Sequence, residues 1–93
     1  MIKKIFKYPL RLIRLTDTQT IQIPNGSTLL WVAVQNDVIC LWAMVDPEQA
    51  MTTRTIVIIG TGNPICDMAL DYVGTVMQGP YVWHVFEDKE PKP

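Results

Sequence analysis

Apolar and polar residues alternate along this chain in short stretches, each cut off by proline, glycine or asparagine. Over residues 2–8, Lys3, Ile5 and Lys7 fall on one side of an extended backbone and Ile2, Lys4, Phe6 and Tyr8 on the other. That period of two predicts a strand, which Pro9 ends or confines to a sheet edge. Residues 18–23 alternate threonine and glutamine with apolar Ile21 and Ile23, a second strand. Pro24-Asn25-Gly26-Ser27 then reads as a turn, since asparagine and glycine tolerate positive φ. Two β-branched and aromatic runs, 29–35 and 38–45, flank Asn36-Asp37 in the pattern of a hairpin. Residues 52–59 are the most strand-prone run, and 72–78 and 81–86 flank a Gly79-Pro80 turn. Residues 64–70 have room for one helical turn. No long window keeps a 3.6-residue period. The expected fold is all-β, with about seven short antiparallel strands in a small sandwich or barrel.

The hairpin is apolar on both sides. Leu30, Val32 and Val34 share one face of its first strand, and Leu29, Trp31 and Ala33 share the other. Its second strand sets Ile39, Leu41, Ala43 and Val45 against Cys40, Trp42 and Met44. A strand with one wet face should instead alternate. So small a domain buries only about 60% of its unfolded surface, too little to cover every sheet face twice. Fully burying one large apolar side chain is worth about 1.5–3 kcal/mol, and leaving Trp31, Trp42 and Met44 in water forgoes several such contributions. The expectation is a homo-oligomer, dimer or tetramer, with the third and fourth strands at its interface. A closed barrel with both tryptophans inside is the alternative.

Composition narrows the class. Ninety-three residues make one domain, expected over 1–87, with 88–93 a flexible polar tail. At 48% apolar and 18% charged the chain cannot be disordered, and a net charge of −1 argues against a nucleic-acid polymer as partner. Cys40 and Cys66 sit in apolar surroundings and read as small buried thiols in a reducing compartment. Two cysteines and one histidine do not make a standard four-ligand zinc site, so neither metal nor cofactor is expected. The N-terminus lacks the apolar run of a signal peptide. Residues 29–45 are too short for a membrane span and carry Gln35-Asn36-Asp37 at their centre. A cytoplasmic setting without membrane contact is expected.

The bases cluster. Lys3, Lys4, Lys7, Arg11 and Arg14 supply five of the eight, a pattern that guards an edge strand against pairing. Between positions 15 and 88 Arg54 is the single base among eight acids. It would pair with Asp46 or Glu48, or bind an anion bidentately. Gly60-Thr61-Gly62-Asn63-Pro64 follows a strand, and its glycines allow amides to converge on an oxygen-rich ligand. It lacks the third glycine and the Lys-Ser/Thr of nucleotide fingerprints, so a plain tight turn stands beside that reading. Tyr8, Trp42, Tyr72, Tyr81 and Trp83 offer stacking surface or core, and His84, on the face of Val82 and Phe86, reads as a core histidine. Nothing resembles a catalytic triad, and Asp67 and Asp71 have no base placed near them in sequence. No catalytic residue is assigned; the chain is not read as an enzyme.

Lys7-Tyr8-Pro9-Leu10, Ile23-Pro24-Asn25-Gly26, 41–47 (LWAMVDP), Gly60-Thr61-Gly62-Asn63-Pro64-Ile65 and 82–87 (VWHVFE) together resemble a widespread family of small bacteriophage proteins of unknown function. The family loop more often carries histidine where Asn63 stands, which removes any role needing an imidazole there. In size and apparent self-associating β character the chain is similar to tetrameric anti-CBASS sponges, which trap cyclic GMP-AMP. That resemblance implies a viral immune-evasion sponge in the host cytoplasm, sequestering a cyclic nucleotide signal without cleaving it. Tyr8 and Trp42 would stack bases, Arg54 would meet phosphate, and Gly60, Thr61, Gly62 and Asn63 would complete a cradle shared between copies. A phage accessory protein acting on a host protein is the alternative, and a phosphodiesterase using His84 and an aspartate is a third reading.

Overall fold

Seven antiparallel strands form two sheets in the computed structural model, which describes residues 2–12, 16–65 and 69–89. They are β1 (Lys4–Pro9), β2 (Thr16–Pro24), β3 (Thr28–Gln35), β4 (Val38–Val45), β5 (Met51–Gly60), β6 (Leu70–Gln78) and β7 (Tyr81–Asp88). One sheet has the order β1-β4-β3 and the other β2-β5-β7-β6. Turn chemistry explains the two hairpins. Asn36 and Asp37 both take positive φ, 51° and 63°, the type I′ geometry that matches strand twist. Gly79, at φ 56°, precedes Pro80 as the first central residue of a type II′ turn.

The two sheets pack on a shared core. Ile39, Leu41, Ala43 and Val45 of β4 face Ile56 and Ile58 of β5 and Trp83 and Val85 of β7, all buried. β1 lies at the edge of its sheet, as its lysines suggest. Cys40 is buried, while Cys66, Asp67 and Arg14 lie outside the described residues, as do three positions of the expected helical turn. Among the described residues no helix is long and apolar enough to cross a membrane.

Three expectations are corrected. The register of β3 on β4 shifts between Leu29 and Trp31, so Leu29 pairs with Ala43 and turns inward, whereas Leu30 leaves the ladder and is exposed. One inserted residue resets the alternation, which the bare pattern of apolar residues does not reveal. His84 is not in the core: it is half-buried, and the neighbouring inward positions are Trp83 and Val85. The expected tail, 88–93, starts one residue too early, because Asp88 is a buried member of β7.

A second bulge, between Tyr72 and Gly74 of β6, leaves Gly74 opposite Val85 and hard against Val32 of the other sheet. A β-carbon at Gly74 would overlap Val32 Cγ1. Gly74→Ala should therefore cost about 1–3 kcal/mol by overpacking. In urea melts, Gly74→Ala combined with Val32→Ala should lose less than the sum of the two single variants; strict additivity would refute the clash.

Candidate functional site

β5 carries predicted residues at both ends, Arg54 near its start and Gly60 at its finish. Six residues of extended chain separate them by about 20 Å. At the far end the chain turns sharply. The Asn63 amide donates to the Gly60 carbonyl at 3.1 Å, and Gly62 takes φ 89°, as the third position of a type II turn requires. The Thr61 amide donates to the Val82 carbonyl at 3.2 Å. Two amides expected to face a ligand therefore close the turn and bind it to β7.

Beside this turn lies a cavity of about 440 Å³ lined by Gly60, Thr61, Asn63 and residues 80–83. The exposed Tyr81 ring stacks on buried Trp83, with centroids 5.6 Å apart and planes 24° from parallel. Trp83 Nε1 donates to Gln78 Oε1 at 3.1 Å, and Gln78 Nε2 donates to the Asp37 carbonyl at 2.9 Å. One glutamine thus ties the cavity wall to the β3–β4 turn. On the outer side, Thr61 Oγ1 lies 2.7 Å from His84 Nε2, His84 Nδ1 lies 3.1 Å from Thr75 Oγ1, and Thr75 Oγ1 lies 2.6 Å from Tyr72 Oη. Through its two ring nitrogens His84 links the hydroxyls of Thr61 and Thr75, so this chain holds the Thr61 hydroxyl in place. Among the described residues, no lysine or arginine lines the cavity.

Arg54 belongs to a different cluster. Its partner is neither Asp46 nor Glu48 but Glu87: Nε donates to Oε2 at 2.6 Å and Nη2 to Oε1 at 2.7 Å. Nη1 donates to the Ser27 carbonyl at 2.6 Å, so all three nitrogens are engaged. The pair is largely dry, with side-chain exposures of 18% for Arg54 and 7% for Glu87. The hydrogen bonds from Arg54 hold the Glu87 carboxyl below its ordinary range despite burial, and those to Glu87 push the guanidinium up. The arrangement joins β5, β7 and the turn before β3, at the mouth of a cavity of about 300 Å³. It reads as a structural clamp rather than a phosphate site.

Tyr8 and Trp42 are likewise apart. Tyr8 is paired with Leu41 and turns inward, where burial raises its phenol. Trp42 is paired with Lys7 and faces out. The two rings lie on opposite faces of one sheet and cannot clasp a common ligand within one copy. The structure brings together Gly60, Thr61 and Asn63 and adds Pro80, Tyr81 and Trp83; the sequence reading named the two aromatics as stacking surface or core without placing them at the site. The available signal was a pair of aromatics two apart, directly after a Gly-Pro turn. Among the described residues no group of three or more His, Cys, Asp or Glu is placed to hold a metal ion.

The chain belongs to the family described as a domain of unknown function, DUF7352, whose model matches residues 1–93. No curated protein and no solved structure matches it.

Proposed function

We propose that this DUF7352 member is a binding protein that takes a small, flat-ringed ligand into the cavity beside the 60–63 turn and holds it without chemistry. The observation that carries this reading is the exposed Tyr81 ring, backed by Trp83, over about 440 Å³ of space. That volume falls within the ~300–1,000 Å³ of small-molecule sites. A nucleotide is the ligand class that fits best. Every base has a face to stack, worth about 1–3 kcal/mol on an aromatic platform, and Trp83 already orients the platform. With no lysine or arginine among the described residues of the cavity wall, the phosphates would project out of it toward solvent or another copy. Within this class, the finer reading is a cyclic nucleotide signal of anti-phage defence, sequestered for a bacteriophage in the host cytoplasm. It rests on the resemblance of the chain's motifs to small phage proteins and on its likeness to cyclic-nucleotide sponges in size and β character.

Calorimetry with a panel of cyclic di- and trinucleotides and ADP-ribose cyclisation products tests it. A member of the panel should bind, and Tyr81→Ala should weaken it roughly 5- to 100-fold. The compound should be recovered intact after heat denaturation, which separates capture from hydrolysis. No heat from any compound ends the proposal. The second reading, an accessory protein that acts on a host protein, is favoured by the exposure of Trp31.

A further inference from the structure

Among the described residues, no strand covers the outer face of the β1-β4-β3 sheet around Trp31 and Trp42. The β3 bulge turns Trp31 outward directly opposite Trp42, and Ile5 stands opposite Met44 one row away. Trp31 is 68% exposed and Ile5 62%. Within the three strands this face carries one charge, Lys7, with Lys3 following in the same alternation just before β1; Lys7 Nζ reaches across β4 to Gln35 Oε1 at 2.8 Å. The outer face of the other sheet is polar where β2 and β5 present Thr18, Thr20, Gln22 and Thr53, while exposed apolar Tyr72 and Met77 lie on β6.

We propose that this apolar face is a homodimer interface, two copies stacking their β1-β4-β3 sheets about a two-fold axis with Trp31 and Trp42 near the centre. Charge selects the occupant. A strongly charged partner would bury its own ions here against Lys7 and Lys3 at most, whereas a second copy brings an equally apolar surface of low charge. An isologous contact also needs only one patch, the commonest arrangement among oligomers. Size agrees. Three strands about 4.8 Å apart, β3 and β4 of eight residues and β1 of six, present a footprint near 14 by 27 Å at its longest before side-chain relief. Two such faces bury on the order of 1,000 Å², the lower bound for a specific interface. Packing at the ~10 Å spacing of stacked sheets would cover both tryptophans. The inference does not depend on the ligand reading.

Light scattering coupled to size exclusion, from micromolar concentration upward, should give twice the 10.6 kDa chain mass. Trp31→Lys should raise the dimer dissociation constant at least about 30-fold, as loss of a central aromatic anchor does. Trp31 is mostly exposed in the single chain, so the variant should keep its fold, checked by its melt. Met77→Lys on the other sheet, where Met77 is 76% exposed, should leave the mass unchanged. A single-copy mass at every concentration, or a dimer indifferent to Trp31→Lys, overturns the proposal. So does a monomer whose apolar face is taken by a different protein. A dimer that ignores every nucleotide keeps this inference and sinks the ligand reading.

Discussion

Replacing Arg54 with methionine should lower the unfolding free energy by about 3 kcal/mol, at the low end of the 3–5 kcal/mol for breaking a buried ion pair. Methionine keeps most of the apolar stem, so the loss isolates the guanidinium. What remains is a Glu87 carboxylate, 7% exposed, with the partly exposed Lys89 ammonium at 3.4 Å as its one ion-pair partner among the described residues. The Ser27 carbonyl also loses its donor. The pH dependence gives a second readout. In the native chain the Glu87 carboxyl sits below its ordinary value of about 4.5, so the unfolded chain binds the proton more readily. Its contribution is complete above that value and is lost as pH falls through the depressed native one. In Arg54→Met, desolvation dominates and raises the carboxyl, so the penalty should be largest at neutral pH and shrink in acid. Denaturant melts at neutral pH and in acid check both points. An equal penalty at the two pH values would show that packing, not charge, is what Arg54 supplies. Arg54→Met with Glu87→Met should recover most of the loss, because a packed apolar pair needs no charge compensation.

Trp83→Ala should cost about 3–5 kcal/mol, the range for emptying an aromatic site in a core. For a domain of this size that is a fall in melting temperature of at least about 12 °C. Trp83 packs with Val76 and Val85 and supports Tyr81 on the cavity side. Trp83→Phe keeps a ring and removes the Nε1–Gln78 hydrogen bond. It should lose about 1 kcal/mol, since Gln78 is half-buried and water can replace the donor. The contrast between the two variants is the test. If phenylalanine loses as much as alanine, the link from Trp83 through Gln78 to the β3–β4 turn matters more than the ring. In either case Tyr81 loses its orienting neighbour in Trp83→Ala, so ligand capture in the 60–63 cavity should weaken along with stability.

Strands and turns were legible in the residues because their causes are local. The expected 38–45 strand is β4 from end to end, and Asn36-Asp37 and Gly79-Pro80 are the hairpin turns. Alternation of side chains and the φ a residue tolerates are settled by immediate neighbours. The division of β4 into two faces was legible for the same reason, but not which of them turns inward. The bulges at Leu30 and Val73 were not, since an apolar residue on either face of an apolar strand leaves the pattern unchanged. Nor was the clamp. Arg54 and Glu87 lie 33 residues apart and meet only because β5 and β7 are neighbours in a particular register. In sequence Glu87 is only the last residue of the expected domain, with Lys89 its nearest lysine or arginine. The candidate cavity is of the same kind, formed where the end of β5 meets the start of β7. Composition and periodicity settled that the chain is a β domain and where it bends, since those preferences act over a few bonds. Which strands adjoin, which tryptophan is wet and which charges meet follow from how two sheets close on one core, and that outcome depends on all the residues at once.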